Sequence, residues 1–195
     1  ENYYTKESRH SGSVGLIKRH VIRNRLSFFK DIFEQGKNIL ELGCGDGALL
    51  IDIKTRYPEC PISGVDFSLS TETLKQCRLL NIDLLQADIE KTELPESTYD
   101  LVIMNQLLEH LREPGQVLDK IVQALKPGGM VSIETPNRDG YDRKLFKSSF
   151  WGGYYFPRHM HLFSRDSLIK LLEAKGLSLI QQRSLVAPII WVFSL

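Results

Sequence analysis

One short stretch in the first quarter of the chain constrains its fold more than any other. Residues 39–47 read ILELGCGDG, a short stretch of buried-strand character followed by glycine at every second position. Glycine alone lets a backbone turn sharply and leaves no Cβ between the main chain and a ligand. A helical pattern follows over residues 48–53. The stretch therefore predicts a strand–loop–helix corner, the place where open α/β sheets bind nucleotides.

Two nucleotide cofactors fit the spacing of this corner. Counted from Gly43, it reads G-x-G-x-x-A, and Asp66 stands roughly 20 residues further on, as in the dinucleotide fingerprint. Counted from Glu41, it reads E-x-G-x-G-x-G and resembles motif I of the class I S-adenosylmethionine-dependent methyltransferases. A glycine-rich turn that merely connects strand to helix is a third interpretation, so the loop alone does not decide between them.

Four later segments follow in the order of that methyltransferase family. They resemble its second strand with the ribose-binding acid, its third strand with the adenine-contacting Asp, its fourth strand, and its turn and fifth strand: residues 62–66, 84–89, 99–105 and 125–133. Each segment alone could arise in any α/β protein. In this order and spacing, over about residues 38–135, they make the resemblance specific.

The resemblance implies a methyltransferase that uses S-adenosylmethionine as its cofactor, acts on an oxygen of a small-molecule acceptor, and binds the cofactor through identifiable residues. An NAD-type oxidoreductase and a non-catalytic methyltransferase-like binding module are the alternatives. Asp66, at the tip of a strand, could accept hydrogen bonds from both ribose hydroxyls, or it could be a helix N-cap. Asp88 could accept from the adenine amine beside Ile89, or it could bond its own turn. Glu41 and Asp46 could meet the cationic amino group of the methionine moiety or only shape the loop. The expected cofactor-binding residues are Glu41, Gly43, Cys44, Gly45, Gly47, Asp66, Phe67, Asp88, Ile89 and Asn105.

Three histidines are the candidate catalytic groups: His110, His159 and His161. Methyl transfer from a sulfonium is a direct displacement, so a base is needed only when the acceptor, such as a hydroxyl, must lose a proton. His110 lies in a Leu-Glu-His segment that resembles the ubiquinone-type O-methyltransferase branch, and a helix-start residue bonded to the backbone is its alternative role. His159 and His161 alternate on a segment that we predict to be extended, so only one of them should face the cleft.

The resemblance also raises the question of a metal. Some members of that branch hold a divalent metal with a Glu three residues before a Glu-His pair. The corresponding residue here is Gln106, so we predict that no metal is bound.

Residues 137–163 break the alternation of strands and helices. They are rich in aromatic residues and end in PRHMHLF, which resembles a subgroup of bacterial methyltransferases of uncertain substrate. A long connection of this kind is generally functional or disordered, and its aromatic density argues against disorder. We expect a lid over the methyl acceptor. An insertion packed on the flank of the domain is the alternative.

The resemblance implies an α/β fold, a Rossmann-like seven-stranded class I methyltransferase sheet with helices on both faces. With 42% hydrophobic residues, the chain suits one domain over residues 1–195. The patterns predict strands near 38–42, 62–66, 83–86, 99–104, 130–135 and 177–183. They predict helices near 14–33, 47–56, 70–80, 114–125 and 165–175. This alternation indicates a parallel sheet.

Charge and cysteine content indicate which binding partners and which cellular compartment to expect. A net charge of +1 gives no general electrostatic argument for nucleic acid, so a small-molecule acceptor is expected. Three cysteines without a CxxC pair fit a reducing cytoplasm. The apolar run 185–195 is shorter than the roughly 20 residues that span a bilayer, and it is either the last strand or the start of a longer hydrophobic segment. Membrane association through that run, truncation at both ends and the oligomeric state stay open.

Overall fold

Five parallel strands form one sheet. The structure, a computed structural model, describes residues 27–140 and 157–182. The strands are β1 (Ile39–Leu42), β2 (Ile62–Asp66), β3 (Asp83–Gln86), β4 (Tyr99–Asn105) and β5 (Leu125–Glu134), in the spatial order β3-β2-β1-β4-β5. Every neighbouring pair is parallel, so each strand needs a crossover connection to reach the next. The expected Rossmann-like α/β architecture is confirmed.

The helices begin at residues whose chemistry suits that position. They are α1 (Lys30–Glu34), α2 (Ala48–Arg56), α3 (Thr71–Leu79), α4 (Pro114–Ala124) and α5 (Arg165–Glu173), with short 3-10 turns at Ser27–Phe29 and Leu108–His110. Ser70 and Ser164 cap α3 and α5, because their hydroxyl oxygens accept backbone N–H groups that a helix leaves unpaired. Pro114 occupies the first turn of α4, where its missing N–H costs no helix hydrogen bond.

Alternate residues of the strands enter two hydrophobic cores, one on each face of the sheet. Ile39, Leu101 and Ile103 pack with residues of α1, α2 and α3. Leu40 and Val102 pack with residues of α4 and α5. Because side chains of a strand point alternately to its two faces, a strand covered on both sides is buried throughout, as β1 is. The expected helices on both faces are confirmed.

The junction of α4 and β5 forms the expected Pro-Gly-Gly turn. Regular pairing with β4 resumes at Met130, because residues 126–129 bulge out of register. Gly128 has a φ of +77°, a conformation that favours glycine. A Cβ at Gly129 would lie 2.9 Å from the Lys126 carbonyl oxygen. Both glycines are therefore required by the backbone of this turn.

The strand predicted near residues 177–183 is wrong for the part that the structure describes. Residues 177–182 belong to no strand. Leu179 and Ile180 are 50% and 70% exposed, so their apolar side chains have no sheet to cover. An apolar run becomes a strand only where a neighbouring strand pairs its N–H and C=O groups. Over the described residues, the sheet has five strands instead of the seven that the resemblance implied.

Two other expectations fall at least partly outside the described residues. The helix expected over 14–33 is represented by the 3-10 turn at Ser27–Phe29 and by α1, and its residues 14–26 lie outside. The apolar run 185–195 also lies outside. In the part of the chain that is described, no helix combines the length and apolar character needed to cross a membrane.

Candidate active site

The carboxyl ends of four strands meet where the strand order reverses. The chain leaves β1 toward β2 on one side and leaves β4 toward β5 on the other, which opens a crevice between the two connections. The glycine loop follows β1, Asp66 ends β2, Asp88 follows β3, and Asn105 ends β4. The predicted cofactor residues therefore come together along one edge of the sheet.

The glycines of the loop share a left-handed backbone but differ in their surroundings. Their φ angles are +75° at Gly43, +54° at Gly45 and +70° at Gly47. A Cβ at Gly43 would lie 3.2 Å from Leu107, and one at Gly47 would lie 3.0 Å from the Cys77 sulfur, so these two glycines permit close packing. A Cβ at Gly45 would meet no described atom within 4 Å. Gly45 is thus the glycine with an open side.

Asp66 joins β2 to the glycine loop. Its Oδ2 accepts the Gly45 N–H at 2.7 Å, and its Oδ1 accepts the Ser68 N–H at 2.9 Å. Each carboxylate oxygen keeps a further lone pair for a hydroxyl donor. The N-cap of the following helix is Ser70, so Asp66 does not have that alternative role. Phe67 lies next to this carboxylate with 66% of its side chain exposed.

Asp88 is held by its own turn. Its Oδ1 accepts the Glu90 N–H at 3.1 Å, and its Oδ2 lies 3.2 Å from the Lys91 ammonium. The hydrogen bonds from Lys91 and Glu90 lower the pKa of the Asp88 carboxyl below its usual value, so it is ionised at neutral pH. Ile89 beside it is half-buried against the core. Asp88 thus does bond its own turn, as one of the two interpretations predicted. These bonds leave lone pairs on both carboxylate oxygens.

Glu41 and Asn105 form a polar pair between β1 and β4. Glu41 is buried, and Asn105 Nδ2 donates to its Oε1 at 3.3 Å. Asp46 instead shapes the start of α2, because its Oδ1 accepts the Ala48 N–H at 3.1 Å. Cys44 is buried, and burial together with neighbouring carboxylates raises the pKa of its thiol. The thiol therefore stays protonated and unreactive at neutral pH.

The turn after β4 (residues 106–112, the histidine turn) contacts the end of the aromatic-rich segment 137–163. His110 Nδ1 lies 2.9 Å from the Arg158 carbonyl oxygen. Because a carbonyl only accepts hydrogen bonds, Nδ1 carries the hydrogen, and Nε2 of the neutral ring keeps its lone pair. The His159 ring packs edge-on against His110, with centroids 4.7 Å apart. Two of the three predicted catalytic histidines are therefore neighbours.

His161 contacts the histidine turn at a different point from His159. Its Nε2 lies 3.3 Å from the Arg112 carbonyl oxygen, and its ring stacks on Phe163 with centroids 5.8 Å apart. Its backbone N–H donates to the Glu109 carbonyl oxygen at 3.2 Å. His161 therefore connects residues 157–163 to the histidine turn.

Glu109 is a site residue that the sequence analysis missed. Its side chain is fully buried, its Oε2 accepts the Thr135 hydroxyl at 2.9 Å, and no described residue donates a hydrogen bond to its Oε1. Burial raises the pKa of this carboxyl, although Thr135 and the imidazoles of His110 and His159 act in the opposite direction. The signal that could have found it is a carboxylate set among leucines in the sequence LLEHL.

Three of these groups could hold a divalent metal ion. The ligand atoms of Glu109, His110 and His159 all lie within 4.8 Å of one another. Gln106, at the first position of the resembling metal motif, is engaged elsewhere, because its amide donates to Glu134 Oε1 at 3.1 Å. The donor set of that motif is therefore not reproduced, and the absence of a metal stays a prediction.

Comparison with known proteins finds methyltransferases. The chain is 30% identical over 151 residues to a ubiquinone biosynthesis O-methyltransferase of Paracidovorax citrulli, covering 71% of this chain and 60% of that protein. It is 28% identical over 148 residues to a probable S-adenosylmethionine-dependent methyltransferase of Mycolicibacterium smegmatis, covering 72% of this chain and 52% of that protein. The chain thus spans about half the length of such curated relatives.

The solved structures and the family match agree on the fold. A S-adenosylmethionine-dependent methyltransferase of Archaeoglobus fulgidus is similar with a TM-score of 0.62 and 21% identity, over 90% of this chain and 84% of that one. The Methyltransferase domain family matches residues 16–182, which include the whole sheet and the glycine loop. The chain therefore belongs to the Methyltransferase domain family.

Proposed function

We propose that this chain is an S-adenosylmethionine-dependent methyltransferase that acts on a hydroxyl oxygen of a small-molecule acceptor. The hydrogen bond between Gly45 and Asp66 carries the proposal. It places a glycine with open space beside it next to a carboxylate, at the edge of the sheet where the strand order reverses. Membership of the methyltransferase family and the names of the relatives support it.

The cofactor would lie across the carboxyl ends of β1 to β4. We assign its ribose to Asp66 and its adenine to Asp88 and Ile89, because these residues end or follow adjacent strands. The methionine end would then lie toward the buried Glu41 and the half-buried Asn105, which offer carboxylate and amide oxygens to a cationic amine. The remaining contacts would come from Gly43, Cys44, Gly45, Gly47 and Phe67.

The reaction would be an in-line displacement. When bound, the cofactor would supply the methyl group: the acceptor oxygen would attack its carbon, and the carbon–sulfur bonding pair would leave with the sulfur. The acceptor proton would go to His110 Nε2, whose lone pair is defined by the bond from Nδ1 to Arg158. Positioning of the reactants can supply about 7–11 kcal/mol of the rate enhancement. We assign His159 and His161 to support of this base and of residues 157–163.

Residues 137–163 would cover the acceptor. The Arg138 N–H donates to the Phe163 carbonyl oxygen at 2.8 Å, so the two ends of this segment meet. The Met160 N–H donates to the Glu109 carbonyl oxygen at 2.8 Å, which fixes the returning end beside the histidine turn. Residues 141–156 lie outside the described part, so these ends alone support the covering role.

We also place the protein in the cytoplasm, as one domain over residues 1–195. Its cysteines, Cys44, Cys60 and Cys77, are all buried free thiols, which suits a reducing compartment.

The acceptor atom can be tested directly. The purified chain is incubated with S-adenosylmethionine and matched panels of hydroxyl, amine and carboxylate acceptors, with release of S-adenosylhomocysteine as the readout. We expect turnover with hydroxyl acceptors and no loss after treatment with a chelator. Turnover with amines alone would contradict the oxygen assignment; one relative is named a pavine N-methyltransferase of Thalictrum flavum.

The role of His110 is tested by replacing it. His110→Asn should lower kcat by about 100-fold or more, because the acceptor proton loses its base, while the KM for S-adenosylmethionine changes little. Glu34→Gln, which removes only an exposed ion pair with Lys30 within α1, is the control and should keep the wild-type kcat. A kcat for His110→Asn close to that of wild type would refute the assignment.

A further inference from the structure

Glu90 bridges two loops that the proposed function uses separately. It follows Asp88 and Ile89 in the connection from β3 to β4. Its Oε1 accepts the backbone N–H of Arg112 at 2.9 Å and that of Glu113 at 2.8 Å. Arg112 is the last residue of the histidine turn, and Glu113 directly precedes α4. One carboxylate oxygen thus joins the adenine side of the site to the acceptor side.

Lys120 of α4 strengthens this bridge from the opposite direction. Its ammonium donates to the carbonyl oxygens of Glu90 and Thr92, each at 3.0 Å. The Lys120 side chain is only 20% exposed, so these charge-assisted bonds are partly shielded from water. The main chain of Glu90 is therefore held by α4 itself, and its carboxylate is held by the two residues that precede α4.

A continuous path of three hydrogen bonds runs through this bridge to a histidine. Asp88 Oδ1 accepts the Glu90 N–H, Glu90 Oε1 accepts the Arg112 N–H, and the Arg112 carbonyl oxygen accepts from His161 Nε2. A ligand amine that bonds to Asp88 shares the carboxylate that holds the Glu90 main chain. Any resulting shift of Glu90 acts directly on Arg112 and so on His161.

We propose that Glu90 is a positioning residue that couples occupancy of the adenine end of the site to the arrangement of the histidine turn. This inference rests on the proposed placement of the cofactor at Asp88. Coupling between two sites is reciprocal, so an ordered histidine turn also favours cofactor binding. Glu90 touches neither the methyl group nor the acceptor, and acts through Arg112.

The test measures the response of the histidines to a bound ligand. S-adenosylhomocysteine is titrated into the full chain, and binding is followed by calorimetry while imidazole signals are followed by NMR. His161→Asn assigns the signal. In the wild-type chain we expect ligand binding to shift the His161 signal. In Glu90→Ala we expect binding about 5-fold weaker, typical of modest coupling, and loss of the His161 shift.

Two matched variants separate positioning from simple support of α4. Glu90→Gln keeps an oxygen that can accept both N–H groups, so it should restore the ligand-induced shift. Glu93→Ala removes a carboxylate of the same connection that is 88% exposed and 3.6 Å from Lys120, and it should behave as wild type. A purely structural role would lower the melting temperature of Glu90→Ala and leave the ligand response intact.

Each remaining outcome decides the question. A full His161 shift in Glu90→Ala, or wild-type binding without any His161 shift, would overturn the coupling. If Glu90→Ala does not fold, Lys120→Met is measured in the same way: a reduced shift supports the proposal and an unchanged shift overturns it. Failure of the wild-type chain to bind S-adenosylhomocysteine would overturn the proposed function itself, and the coupling with it.

Discussion

Gly43, Gly45 and Gly47 all need a left-handed backbone, yet only the structure distinguishes their surroundings. The repeated glycine in the sequence predicts a loop near a ligand, because glycine is the residue that permits such turns. The neighbours of Gly43 and Gly47 are Leu107 and Cys77, which come from distant parts of the chain. Local sequence carries no information about such neighbours, so it could not separate a packing glycine from a ligand-facing one.

A pair of glycine substitutions isolates the ligand-facing role. Gly45→Ala and Gly128→Ala both place a Cβ at a positive φ, and neither Cβ would meet a described atom within 4 Å. Each should cost about 1–2 kcal/mol of folding free energy. Only Gly45→Ala should also weaken S-adenosylhomocysteine binding, by about tenfold, equal to about 1.4 kcal/mol. Calorimetric titration checks this, and equal affinities in the two variants would contradict it.

Glu90 and Glu109 are the two residues of the proposed site that the sequence reasoning did not identify. Glu90 contacts Arg112, 22 positions further along the chain. Glu109 lies beside His159, although the two residues belong to segments far apart in sequence. Asp66, by contrast, was predicted as a site residue because the end of a buried strand fixes its place. The role of a residue can be predicted from sequence when it follows from the helix or strand that contains the residue. The roles of Glu90 and Glu109 depend instead on contacts between different elements.

Among the elements, the central strands were the most predictable. β1 and β4 are nearly continuous apolar runs, and burial on both faces of a parallel sheet requires that pattern. Residues 177–182 contain three apolar residues among polar ones and form no strand. The difference lies in the partner, because pairing is a property of two segments. Sequence patterns identify which segments are able to become strands and do not supply the neighbour.

Asp100 ties three strands together at the amino end of the sheet, away from the site. Its Oδ2 accepts the Asn38 N–H at 2.9 Å and the Lys126 ammonium at 2.7 Å. Burial acts to raise the pKa of the Asp100 carboxyl, but the bonds from Lys126 and Asn38 outweigh it, and the pKa is lowered. Asp100→Asn should reduce the free energy of unfolding by about 1–2 kcal/mol at pH 7, after allowance for the exposed part of Lys126. Denaturant unfolding measures this loss.

The pH dependence of that loss has a definite sign. A carboxyl whose pKa is lowered by folding stabilises the protein above its ordinary pKa near 3.8 and loses that contribution as the pH falls through the folded value. The difference between wild type and Asp100→Asn should therefore shrink below pH 3.8. Glu34→Gln, which removes an exposed ion pair with Lys30, is the control and should change stability little. A constant difference across this range would refute the ionic origin of the effect.

For the whole molecule, the sheet and its two cores form the scaffold that carries the proposed site. A ligand that binds only the folded chain stabilises it by about 2.7 kcal/mol at 100 times its Kd. For a protein of this size, that corresponds to a rise in melting temperature of about 5–10 °C. We expect this rise with S-adenosylhomocysteine and none with NADH, measured by thermal unfolding. A rise with NADH alone would support the dinucleotide interpretation of the glycine corner.

Cys44, Cys60 and Cys77 all lie in the core between the sheet and the layer of α1, α2 and α3. A water-borne electrophile meets their sulfur atoms only while that layer is transiently separated from the sheet. Cys44 belongs to the glycine loop, and Cys77 packs against Gly47 at the end of the same loop. The alkylation rates of Cys44 and Cys77 should therefore record how often the chain opens beneath the glycine loop.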